Sequence, residues 1–198
     1  MIATQQPKPS VPLYSLSPSA VLAFIGVTLA IHCAEEYFAF PPFLHSLGPQ
    51  LSGWLPAPAL QHSTTNLHIA LILATVLPGI FIVCAILSPR HWLLIAALLV
   101  EAVLLVNAFA HVLAALLRGG YVPGLITAVL INLPFGIYVF RRAVNDGWIR
   151  PVARWRLIGF AIVLHIAWLS SGLLRRHPAQ GPHAPSGLLM LHSSWIES

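Results

Sequence analysis

His32-Cys33-Ala34-Glu35-Glu36 sets a histidine and two adjacent carboxylates inside an otherwise apolar segment that runs to about Phe38. The segment is roughly 20 residues long, enough for a helix to cross the hydrocarbon core of a bilayer. An ionised carboxylate in such a place is costly, so a pair is kept where it binds, pairs or reacts, or where a helix end meets water. Which of these applies decides both the fold and the chemistry.

The surroundings settle the class. The 198-residue chain is 58% hydrophobic and only 8% charged, the balance of a polytopic membrane protein rather than of a soluble domain. Three of its five acidic residues (Glu35, Glu36 and Glu101) lie in apolar segments, whereas the basic residues fall almost entirely between them. The net charge of +5 is thus spread over short loops as topology signals and lipid head-group contacts, which excludes a nucleic-acid surface. Cys33 and Cys84 both fall inside apolar segments and read as small packing residues rather than a disulfide.

Outward from the first segment the chain reads as an all-α transmembrane bundle of about five spans, at 18–38, 66–87, 91–117, 123–140 and 155–174, with an N-terminal tail at 1–16 and a C-terminal tail at 177–198. Ser17-Pro18 is a helix start, with serine as cap and proline at the first helical position. The first span is too long, and too polar at its far end, for a cleaved signal peptide. Between Phe38 and Asn66, Pro41-Pro42, Pro49, Pro56 and Pro58 predict a long uncharged connection, a candidate lid. Pro78-Gly79 and Pro134 with Gly136 predict kinks in spans two and four. Arg118-Gly119-Gly120 predicts the stop of span three.

Five spans divide the basic residues unequally. Lys8, Arg90, Arg141, Arg142, Arg150, Arg154 and Arg156 share one side, and Arg118, Arg175 and Arg176 the other, so the positive-inside rule puts the N-terminus in the cytoplasm and the C-terminus outside. In this topology His32, Glu35 and Glu36, then His68, His111 and Thr127, all fall near the outer level, although they lie up to about 95 residues apart in the chain. Helical spacing sharpens the coincidence. His32 stands three and four residues from the two glutamates, and Asn107 stands four from His111, so each set projects from one side of its helix. Facing helices in bundles build metal sites from such Glu and His residues. Glu101 lies about 15 Å of helical rise below His111, a supporting rather than ligating position. His165 and Asn132 read as interhelical hydrogen-bond partners. His45 and His62 lie in the uncharged connection.

His32-x-x-Glu35-Glu36, Asn107-x-x-x-His111 and Tyr121-Val122-Pro123-Gly124-Leu125-Ile126-Thr127-Ala128 together resemble the bacterial multi-pass membrane proteins grouped as the HXXEE family. The likeness runs from span one through span four. It implies a bacterial inner-membrane location and importance for the motif residues, and it implies no activity, because the family is a domain of unknown function.

The reading favoured by these residues is a membrane-embedded metalloprotein. His32, Glu35, Glu36, His68 and His111 are its candidate ligands for a divalent zinc, iron or manganese ion, with Asn107, Glu101 and Thr127 supporting them. Glu35 and Glu36 are also the candidate catalytic groups, one ligating while its neighbour serves as base, in a metal-dependent hydrolase or oxidoreductase acting on a lipid or other apolar substrate from the outer leaflet. Two other classes stand beside it: a proton-coupled small-molecule transporter using Glu35, Glu36 and Glu101, and a non-catalytic accessory subunit.

Overall fold

The computed structural model describes residues 16–51, 57–88 and 90–174, and for 48–51, 57–63, 169 and 171–174 the backbone only. The expected tails at 1–16 and 177–198 lie outside the described residues apart from Leu16, as do the side chains of Trp54 and His62. Within that range the chain is all-helical: α1 (Pro18–Leu51), α2 (Ala57–Leu87), α3 (His91–Arg118), α4 (Leu125–Asn145) and α5 (Pro151–Leu174). Each of the five includes a stretch long and apolar enough to cross a membrane. The chain divides into two compact units at His165, so α5 belongs to the first unit up to that residue.

Local chemistry sets the helix ends. The Ser17 hydroxyl accepts the Ala20 N–H at 3.1 Å, capping α1 as its sequence predicts. At the far end of α3, Gly119 takes a left-handed φ of 71°, its N–H reaching Leu116 O while Gly120 N–H reaches Ala115 O. A side chain would resist that φ, which is why glycine stands there.

The connection expected over 38–66 is mostly helix, because α1 continues through Pro41-Pro42 to Leu51. Proline in a helix removes one N–H and leaves the carbonyl four residues back without its bond. Here the Tyr37 carbonyl, which residue 41 would have satisfied, takes a hydrogen bond from His68 Nε2 at 3.1 Å. A neighbouring helix supplies the missing donor, so the proline is tolerated. Two further contacts hold this extension: the His68 ring stacks on Tyr37 at 3.9 Å, and the Arg118 guanidinium lies 4.3 Å above the Phe43 ring.

α3 is the centre of the bundle, packing against α1, α2 and α4. Its buried residues, Leu93, Ala97, Leu98, Glu101, Ala102, Leu104, Leu105 and Ala108, recur at helical spacing. The alanines among them let neighbouring backbones approach closely, the packing that holds helices together where lipid replaces water. Val21 and Ile25 of α1, Val139 of α4 and Ala161 of α5 complete the same core. By contrast α2 exposes Ile69, Ile72, Leu73, Val76, Leu77, Ile80 and Phe81, an apolar surface suited to acyl chains and unsuited to water.

α4 is not a uniform helix. Ala128–Asn132 forms a π-helical turn, closed by Leu133 N–H on Ala128 O, immediately before Pro134. In an α-helix residues five apart point about 140° away from each other. The wider turn brings Thr127 and Asn132 to the same buried side, 7% and 1% exposed.

Candidate metal centre

Three side chains from two helices converge at the end of the bundle where α3 stops and α4 begins. His32 and Glu36 lie one turn apart on α1, and His111 faces them from α3. The Glu36 Oε1 is 3.0 Å from His111 Nε2 and 3.9 Å from His32 Nε2, and one ligand atom from each of the three residues lies within 4.8 Å of the others. In a tetrahedral site with bonds of about 2.0–2.1 Å, neighbouring ligand atoms stand about 3.3–3.4 Å apart. The cluster therefore has the donor types and the proximity with which a metal ion could be held.

The surroundings aim these donors. His32, 1% exposed, puts Nδ1 2.7 Å from Thr127 Oγ1, and that hydroxyl in turn donates to Gly124 O at 3.3 Å. A hydroxyl committed to a carbonyl can still accept, so His32 carries its proton on Nδ1 and turns the Nε2 lone pair toward Glu36 and His111. Metal-ligating histidines are ordinarily fixed in this way. Gly124, at φ 87°, roofs the two rings, which meet edge to face with centroids 5.1 Å apart. A Cβ at position 124 would lie 2.8 Å from His111 Cε1 and 2.9 Å from His32 Cε1. The backbone at Gly124 thus closes tightly over both imidazoles.

Glu35 does something else. Neighbouring residues on a helix point about 100° apart, and this carboxylate faces α4. Its Oε1 accepts the Ile126 N–H at 3.1 Å and the Tyr121 hydroxyl at 2.9 Å, and its Oε2 accepts the Thr127 N–H at 2.7 Å. Gly124 precedes the first helical residue and has no side chain with which to cap it. A carboxylate from another helix therefore satisfies the unpaired N–H groups at the positive end of α4. Tyr121, in the loop, is held protonated, its phenol pushed up to about 12 by desolvation first, then by the hydrogen bond to Glu35 and that group's charge.

Of the residues singled out in the sequence, the structure brings together His32, Glu36 and His111, with Asn107 and Thr127 against them. It does not bring Glu35 or His68 into that group: one caps α4 and the other bonds the Tyr37 carbonyl. Glu101 is wholly buried, with neither carboxylate oxygen hydrogen-bonded among the described residues, and the absence of a side chain at Gly136 makes room for it. Asn132 is buried with both amide atoms likewise unbonded. His165 is part-buried on α5. His45 is exposed on the extension of α1.

A family model described as a protein of unknown function with HXXEE motif matches residues 23–139, more than half of the chain and every residue of this centre. No curated protein and no solved structure matches the chain.

Proposed function

We infer that this chain, which belongs to the HXXEE-motif family, is a membrane-embedded protein that binds one divalent metal ion through His32, Glu36 and His111. The observation that carries this reading is the convergence of two imidazoles and a carboxylate at ligand spacing, with His32 Nδ1 bonded to Thr127 so that the opposite nitrogen carries the lone pair. Mixed imidazole and carboxylate ligation suits zinc, iron or manganese. A bound ion of this kind supplies Lewis acidity toward an oxygen substrate or water. The protein's own part is to orient His32 through Thr127, to close the rings beneath Gly124, and to keep α4 in place through Glu35.

The arginine distribution supports an N-terminus in the cytoplasm and, with it, a centre in the outer half of a bacterial inner membrane. A lipid or other apolar molecule entering from the outer leaflet is the substrate this placement favours, in a metal-dependent hydrolysis or oxidation.

Metal analysis of the purified protein tests the core of the reading. One equivalent of a transition metal is expected in the wild type, lost in His32→Ala and His111→Ala and kept in His68→Phe. A folded wild type that takes up no stoichiometric metal sinks it.

A further inference from the structure

Asn107 stands one helical turn before His111, on the same side of α3, and reaches into the centre. Its Nδ2 is 2.7 Å from His32 Nε2 and 3.1 Å from His111 Nε2. With Glu36 Oε1 at 3.9 Å from His32 Nε2 and 3.0 Å from His111 Nε2, the Asn107 amide, two imidazoles and a carboxylate form a four-cornered cluster. These separations straddle the edge of about 3.3–3.4 Å that a tetrahedral first shell requires.

The contacts also make incompatible demands. His111 Nε2 faces a carboxylate oxygen, which asks it for an N–H, and an amide nitrogen, which asks it for a lone pair. One ring nitrogen supplies only one of these. A cation at the centre removes the conflict, because both imidazole lone pairs and the carboxylate can then point at it. The amide NH2 group has no lone pair to offer such an ion and would repel it, whereas the amide oxygen is a donor. A half-turn about the Asn107 Cβ–Cγ bond exchanges the two atoms without moving the backbone.

We infer, on the metal-binding reading above, that Asn107 is the fourth ligand, its amide turning over on metal binding to present Oδ1 and complete a set of two nitrogens and two oxygens. Before the ion arrives Asn107 Nδ2 donates to His32 Nε2, and on metal binding Oδ1 takes its place toward the ion. A neutral amide oxygen is the weakest donor of the four. It is the corner most readily exchanged for water or a substrate oxygen.

Cobalt(II) alone is the probe, added to detergent-purified wild type, Asn107→Asp, Asn107→Leu and Asn107→Ala, each first shown to be monodisperse with wild-type helix content. Asp keeps an oxygen at the corner but has no N–H to donate; Leu and Ala keep neither. Wild type is expected to give the strong visible band of four-coordinate cobalt, Asp to bind with a similar band, and Leu or Ala to lose about tenfold or more in affinity with a changed band. Ala serves if Leu does not pack. Wild-type affinity and band in Leu or Ala overturns the ligand role and leaves metal binding standing. Equal losses in Asp and Leu also overturn it, since Asn107 would then act only as a hydrogen-bond donor. A wild type that binds no cobalt removes the metal-binding reading, and this inference with it.

Discussion

Glu35 Oε2 lies 2.7 Å from the backbone nitrogen of Thr127, so a carboxylate of α1 caps the helix whose threonine orients His32. The two glutamates of one motif have thereby separated into different tasks. Glu36 joins His32 and His111 in the group that could hold a metal ion, and Glu35 holds the element that positions His32.

Glu35→Gln keeps the shape of the side chain and removes its charge. An exchange at a helix N-terminus of this kind costs about 1–2 kcal/mol. Thermal unfolding in detergent is expected to fall accordingly while metal stoichiometry stays at the wild-type value. Loss of metal with unchanged thermal stability would place Glu35 among the ligands instead.

Gly124→Ala puts a methyl group 2.8–2.9 Å from both imidazoles at a backbone angle that L-residues resist. The left-handed conformation alone costs about 1–2 kcal/mol, and the rings must also shift. Both metal affinity and stability are expected to drop. Gly79→Ala, with nothing within 4 Å of the new atom, serves as the control and should leave both intact.

His68→Phe keeps an aromatic ring against Tyr37 and removes the donor to its carbonyl. Leaving that group unpaired costs about 1–3 kcal/mol. In a Pro41→Ala background the new Ala N–H reaches the same carbonyl, so the His68→Phe penalty should shrink toward zero. Penalties that simply add in the double variant would show that His68 does not stand in for the missing proline N–H.

Gly136→Ala would bring a Cβ to 2.9 Å from Glu101 Oε1 and 3.0 Å from Leu105 Cδ1. Overpacking of this kind costs about 1–3 kcal/mol. In a Glu101→Ala background the penalty should fall by at least about 0.5 kcal/mol, the coupling expected of residues in contact. An undiminished penalty would mean that Leu105 alone makes the clash.

Tyr121 titrates late. Its phenol is pushed up to about 12, so the neutral form is favoured in the folded protein. The stabilising bond to Glu35 is therefore fully present below the ordinary tyrosine value of about 10 and is lost as the pH rises through the folded-state value. The near-ultraviolet difference titration of wild type against Tyr121→Phe should have its midpoint near 12. A midpoint near 10 would mean that Tyr121 is neither desolvated nor bonded to Glu35.

The sequence by itself determined the helical class, the five apolar stretches, the start at Ser17, the stop at Gly119 and a pool of five candidate ligands, His32, Glu35, Glu36, His68 and His111, from which it did not separate the three that meet. Hydrophobic length and a spacing of three or four residues are properties of one helix, and they are written locally. What a side chain does across a helix interface is not. That Glu35 caps α4, that His68 replaces an N–H missing at Pro41, and that a π-turn carries Asn132 to the side of Thr127 depend on how helices are rotated and which backbone groups are left unpaired. His32-x-x-Glu35-Glu36 fixes which donors exist. Only the packing of α1 against α3 and α4 decides that two of them meet His111 and the third meets the end of a helix.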